Sequence, residues 1–118
     1  MESDLLERWL DSRLAGVPAD LGSQVRASLA DRPAADSVEQ VIEAFTEAAL
    51  RGLDRVRVGP QTRRDALHLL AADACLTYAF EAAADLGGDP ATVARGVGAR
   101  GALGDRIREA MRERGDGP

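Results

Sequence analysis

A chain of 118 residues, 45% apolar and 30% charged, has the size and composition of one compact domain and is too short for a multidomain enzyme. Fifteen arginines against 20 acids leave a net charge of −5, which opposes general attraction to nucleic acid or to an anionic membrane. The single Cys75 excludes an internal disulfide, no apolar run approaches the roughly 18 to 20 residues of a spanning helix, and Met1-Glu2-Ser3-Asp4 lacks the basic start of a signal peptide, so a cytoplasmic location is expected.

Ala occurs 22 times and Leu 14, whereas Ile, Phe, Tyr and Trp together give 6, so helix formers dominate and strand-favouring bulk is scarce. The expected fold is all-α: a single domain of five or six helices packed around a long central apolar helix at about residues 61–86. The first helix carries Leu5, Leu6, Trp9, Leu10 and Leu14 at helical spacing, with Ser3 as its expected N-cap and Asp4 and Glu7 in the first turn. Gly16 marks its end. Pro18 suits the opening of a short second helix whose apolar positions are Leu21, Val25 and Leu29. After a polar connection at residues 33–36, Asp36 or Ser37 caps a third helix bearing Val38, Val41, Ile42, Phe45, Ala49 and Leu53 on one face. Arg55-Val56-Arg57-Val58 alternates like a strand but finds no second strand pattern to pair with, and reads as a loop or a helix end.

From residue 61 to 86 the pattern is apolar nearly all round, which predicts burial on most sides. Its polar residues Asp73, Thr77, Glu81 and Asp85 recur every fourth position and form one narrow stripe. The acids within it are expected to reach solvent or an arginine. Leu69, Leu70, Cys75, Leu76, Tyr78 and Phe80 are therefore candidates for the core or for an interface with a second chain. Gly87-Gly88 ends this helix, and Asp89 with Pro90 starts another that carries Val93 and Val97. The glycines at 96, 98, 101 and 104 predict a break near 98–101, followed by a last helix over about 102–114 with Leu103, Ile107, Ala110 and Met111, and a frayed tail at 115–118.

Chemistry-bearing residues are few. His68 and Cys75 are the only histidine and the only cysteine; two helical turns, about 10 Å, separate them, too far for a catalytic dyad. Asp65 and His68 have the i, i+3 spacing of half a ferritin-like metal site, but Glu39, Glu43 and Glu47, which would complete it, lie opposite the Val41 and Phe45 side of their helix. No metal or cofactor is expected. Arg95 and Arg100, beside the glycines, are a candidate anion-binding pair without the Gly-Lys-Ser or Gly-Lys-Thr ending of a P-loop.

Two stretches, Leu69-Leu70-Ala71-Ala72-Asp73-Ala74-Cys75-Leu76-Thr77-Tyr78-Ala79-Phe80-Glu81 and Val93-Ala94-Arg95-Gly96-Val97-Gly98-Ala99-Arg100-Gly101-Ala102-Leu103-Gly104, resemble the central helices of trans-isoprenyl diphosphate synthases. Asp105 stands where that family usually has Gln, and no two acids are adjacent anywhere, so both Asp-rich magnesium motifs of the family are absent. The resemblance implies a non-catalytic, shortened relative, similar to the small helical subunits with which some such synthases pair. Residues and resemblance together lead to a non-catalytic protein–protein interaction or accessory module that self-associates. The alternatives are the small subunit of a heteromeric isoprenyl diphosphate synthase and a ferritin-like metal-binding bundle. A protein partner or homodimer is expected, with no nucleic acid and no membrane.

Overall fold

A computed structural model of the chain describes residues 4–57 and 63–99. These form five α-helices and no strand: α1 (Leu5–Arg13), α2 (Ala19–Ser28), α3 (Val38–Arg57), α4 (Arg63–Asp85) and α5 (Pro90–Ala99), with a short 3-10 turn at Leu14–Gly16. The all-α fold class is as the composition predicts. None of the described helices is long and apolar enough to cross a membrane. The expected helix over 102–114 and the frayed tail at 115–118 lie outside the described residues.

Each helix start is explained by local chemistry. At α1 the cap is Asp4, one residue later than the expected Ser3: its carboxylate accepts from the Glu7 N–H at 2.9 Å. Asp4 wins because the same carboxylate is also held by Arg32 and the Ala35 N–H, which fixes the backbone there. The other N–H groups that a helix start leaves unpaired are met from the same connection, Leu5 N–H by the Asp36 carboxylate and Leu6 N–H by the Ala35 carbonyl. Between the two candidates for α3, Ser37 is the cap, accepting from Gln40 N–H at 3.1 Å, while the Gln40 side chain reaches back to the Asp36 N–H. The alternating residues at 55–57 are the end of α3, which runs to Arg57.

α4 ends in a Schellman turn: Gly87 takes φ +81°, and the Gly88 N–H donates to the Ala83 carbonyl at 2.6 Å. A side chain at Gly88 would also meet Val38, so this turn is pressed against the start of α3. Asp89 then caps α5 through the Ala91 N–H, with Pro90 as first helical residue.

The core lies where α3 and α4 pack side by side, with α2 against α4 and α5 against both. From α3 it takes Val41, Ile42, Phe45, Ala48 and Ala49, and from α4 Ala71, Cys75, Tyr78, Ala79, Ala82 and Ala83. Small residues on α4 facing large ones on α3 allow close approach, and Gly52 shows how close: a Cβ there would stand 2.8 Å from that of Ala72. Leu6 and Leu10 bring α1 into the same core. The rings of Trp9, Phe45 and Tyr78 meet edge to face in all three pairs, with centroids 5.5 to 5.9 Å apart. The Trp9 indole N–H donates to Asp85 at 3.0 Å, and Arg13 pairs with Glu81, so α1 is fastened to the polar stripe of α4. That pairing is what the sequence pattern expected of Glu81, and Asp73 reaches solvent.

Candidate functional site

The six core or interface candidates on α4 divide cleanly. Cys75 and Tyr78 are buried and Leu76 is half-buried against the core, whereas Leu69, Leu70 and Phe80 are 46%, 56% and 39% exposed. At 100° per residue, Leu69, Asp73, Leu76, Thr77 and Phe80 share one outer side of α4, turned away from Cys75, Ala79 and Ala82. Three of the chain's four aromatic rings are spent on the Trp9–Phe45–Tyr78 cluster, and the fourth, Phe80, faces outward.

Cys75 carries a buried thiol with no disulfide, and burial pushes its pKa up to about 12, outweighing the opposing charge of Arg51. A thiol so protonated is a poor nucleophile. Burial likewise raises the Tyr78 phenol. His68, two turns back along α4, stands 3.5 Å from the Gln24 side-chain amide through its Nδ1.

The candidate metal residues Asp65 and His68 are both half-buried, yet among the described residues no group of three or more His, Cys, Asp or Glu converges to hold an ion. Glu39 and Glu43 are exposed and Glu47 half-buried on α3. Of the candidate anion-binding pair, Arg95 is exposed and donates to the Thr92 hydroxyl within its own helix at 3.3 Å, and Arg100 lies outside the described residues.

A feature the sequence reading missed is a cleft of about 300 Å³ between the ends of three elements, lined by Gln24, Ser28 and Asp31 from α2 and the turn after it, Arg51, Gly52 and Arg55 from α3, and His68 from α4. Arg51 and Arg55 are one turn apart and so share a helix face. The Arg51 guanidinium donates to the Ser28 carbonyl at 3.1 Å, which fixes it on the cleft wall. Gln24 and His68 also border a second, shallower hollow beside Asp20, Arg63 and Arg64. The only available signal in the sequence was the Arg51–Arg55 spacing, which is equally the mark of a solvated helix face.

No protein-family model matches this chain, and neither a curated protein nor a solved structure matches it at a significant level.

Proposed function

We propose that the protein is a non-catalytic helical interaction module that pairs with a second copy of itself through the outer side of α4. The observation that carries this reading is the exposure of Leu69 and Phe80 on the outer side of α4, with exposed Leu70 about 100° round the helix from Leu69. A solitary exposed leucine is ordinary, but Leu69 and Phe80 stand on one side of α4 with half-buried Leu76 between them, which supports a contact surface there.

Self-pairing is favoured by the spacing. Two copies of α4 crossing antiparallel about a two-fold axis at the height of residues 74 and 75 set each Phe80 against the partner's Leu69, and bring each Asp73 level with the partner's Leu76 and about one residue's rise from its Thr77. One patch thereby supplies both halves of the contact. The buried thiol and the fully fastened aromatic cluster support a role without covalent chemistry, and the small subunit of a heteromeric synthase would use the same face toward a different chain.

Light scattering over a micromolar concentration series tests this. The expected particle has twice the 12.5 kDa chain mass. A strict monomer at every concentration overturns the homodimer, and stoichiometric co-purification of a different chain that Phe80→Ser releases replaces it with a heteromer.

A further inference from the structure

The cleft between α2, α3 and α4 is independent of the outer side of α4. Its α4 contribution, His68, is turned about 100° around the helix from Leu69. At about 300 Å³ it is at the small end of ligand-binding cavities. Its lining holds two guanidiniums, an imidazole and a primary amide against a single carboxylate, in a protein whose net charge is −5. Positive lining in an acidic chain runs against the average composition and concentrates cationic hydrogen-bond donors in one place.

We infer that this cleft is a binding site for a small phosphate monoester, with Arg51 and Arg55 holding the phosphate and Asp31 accepting from a hydroxyl of the ligand. Guanidinium groups present paired N–H donors that match two oxygens of a phosphate at once. Arg51 is oriented for this by its bond to the Ser28 carbonyl, which occupies part of its Nη2 and leaves other donors of the fork available. Arg55 follows one turn later on the same helix and lines the same cleft, so both guanidiniums come from one helix face. Gln24 Nε2 and His68 Nδ1, 3.5 Å apart, line the same cleft from α2 and α4 and supply further polar groups. Ala48 and Gly52 complete the lining, Gly52 being the point at which α3 closes on Ala72 of α4 behind the cleft. Asp31 is the element that selects a monoester over a bare oxyanion. A carboxylate repels phosphate oxygens but accepts from an alcohol, so it favours a ligand that carries hydroxyls on the side away from the phosphate.

The chain contains one histidine, so its ring protons are an unambiguous NMR reporter in the full-length protein. Inorganic phosphate and glycerol phosphate are titrated separately at fixed pH, with ionic strength held constant by sodium chloride. Saturable shifts of the His68 ring signals are expected with both probes, tighter with glycerol phosphate by at least threefold. Arg55→Gln is expected to weaken both at least tenfold. Asp31→Asn is expected to remove the preference for glycerol phosphate while retaining phosphate binding. Arg63→Gln with Arg64→Gln, in the neighbouring hollow, is expected to change affinity less than twofold. Arg51→Gln provides a second loss-of-binding variant, accepted only where its circular dichroism matches the parent. Linear, unsaturated shifts overturn the site. So does an Arg55→Gln protein that binds as the parent does, or an equal loss in the Arg63, Arg64 variant, which would mean a diffuse field. Equal affinity for the two probes overturns the assignment to a monoester. Because none of these readouts depends on oligomeric state, a monomeric protein leaves the cleft assignment standing, and a failed titration leaves the dimer standing.

Discussion

The Arg32 guanidinium donates to both oxygens of the Asp4 carboxylate, at 2.7 and 3.0 Å, across 28 residues of sequence. The side chains are nearly buried, 9% exposed for Arg32 and 13% for Asp4. The same carboxylate caps α1 through the Glu7 N–H and accepts from the Ala35 N–H. Arg32 also donates to the Pro33 carbonyl and reaches Glu7. One ion pair thus ties the start of α1 to the connection between α2 and α3, and α1 in turn delivers Trp9 to the core.

Replacing Asp4 by Ala removes a helix cap and leaves a nearly buried guanidinium with only the Pro33 carbonyl and the more distant Glu7 carboxylate. Truncating one side of such a pair costs about 3 kcal/mol, and loss of an N-cap about 1 kcal/mol more where the two are separable. Urea unfolding of Asp4→Ala should show a lower midpoint with the same slope. A loss within about 0.5 kcal/mol, the range of an ordinary surface substitution, is the result that would deny the pair its role.

Acid should unfold the protein partly through this residue. The Arg32 bonds, with the Ala35 and Glu7 N–H groups, hold the Asp4 carboxyl well below the usual carboxylate range despite the opposing effect of burial. A native value below the unfolded one of about 3.9 means that the unfolded chain binds the proton first. The stabilisation is therefore full above about pH 4 and declines as pH falls toward the native value. Thermal melts from pH 5 down to pH 2 should fall more steeply for the parent than for Asp4→Asn. Parallel curves would show that other groups set the acid limit.

Much of the helical layout was legible because its signals are local. Ser37, Gly87-Gly88 and Asp89-Pro90 act within a turn of themselves, and the Val41, Phe45 and Ala49 stripe follows the 3.6-residue period. Asp4 as cap was hidden, since what selects it over Ser3 is Arg32, far along the chain. The orientation of α4 was hidden for a different reason. Alanine occupies both its buried side, at Ala71, Ala79 and Ala82, and its open side, at Ala66 and Ala84, so small residues carry no information about facing. The cleft needed three elements to converge, and arginines one turn apart do not announce that on their own.

Gly52 and Gly22 both lie inside helices, yet should respond to alanine with opposite signs. Alanine is favoured over glycine in a helix by about 1 kcal/mol. At Gly22 the nearest atom to a new Cβ is Leu14 Cδ1 at 4.0 Å, so the gain should appear as a stabilised protein. At Gly52 the Cβ would meet that of Ala72 at 2.8 Å, and Ala72 can yield only by shifting α4 itself. Overpacking of about 1 to 3 kcal/mol then outweighs the propensity gain. Calorimetry of the two variants checks the pair, and a stabilised Gly52→Ala would mean that α3 and α4 do not approach as closely as described.

Cys75 should be inert in the folded protein. A thiol moved from 9.0 to about 12 has roughly a thousandfold less thiolate at a pH below both values. The side chain is also fully enclosed. Alkylation by iodoacetamide at pH 8 should therefore proceed only through opening of the α3–α4 pair, at a rate that rises with urea. Rapid labelling in the absence of denaturant would place the thiol at the surface and reopen the question of a reactive centre.

Phe80 provides the sharpest separation between folding and association. Its ring lies outside the aromatic cluster and is 39% exposed, so Phe80→Ser removes little from the core and should lower monomer stability by less than about 1 kcal/mol. In the proposed antiparallel pair, however, the substitution is made twice, and each copy would also lose the contact with the partner's Leu69. Truncating an aromatic anchor buried in an interface costs about 2 kcal/mol, roughly thirtyfold in a dissociation constant. Leu69→Ser should weaken association similarly, and combining the two should add less than their sum, because each side chain loses the partner the other has already removed. Sedimentation equilibrium of the single and double variants, alongside their urea midpoints, reads both quantities at once. Strict additivity of the two losses would mean that Leu69 and Phe80 do not face each other across the contact, and an unchanged association constant would move the interface off α4 altogether.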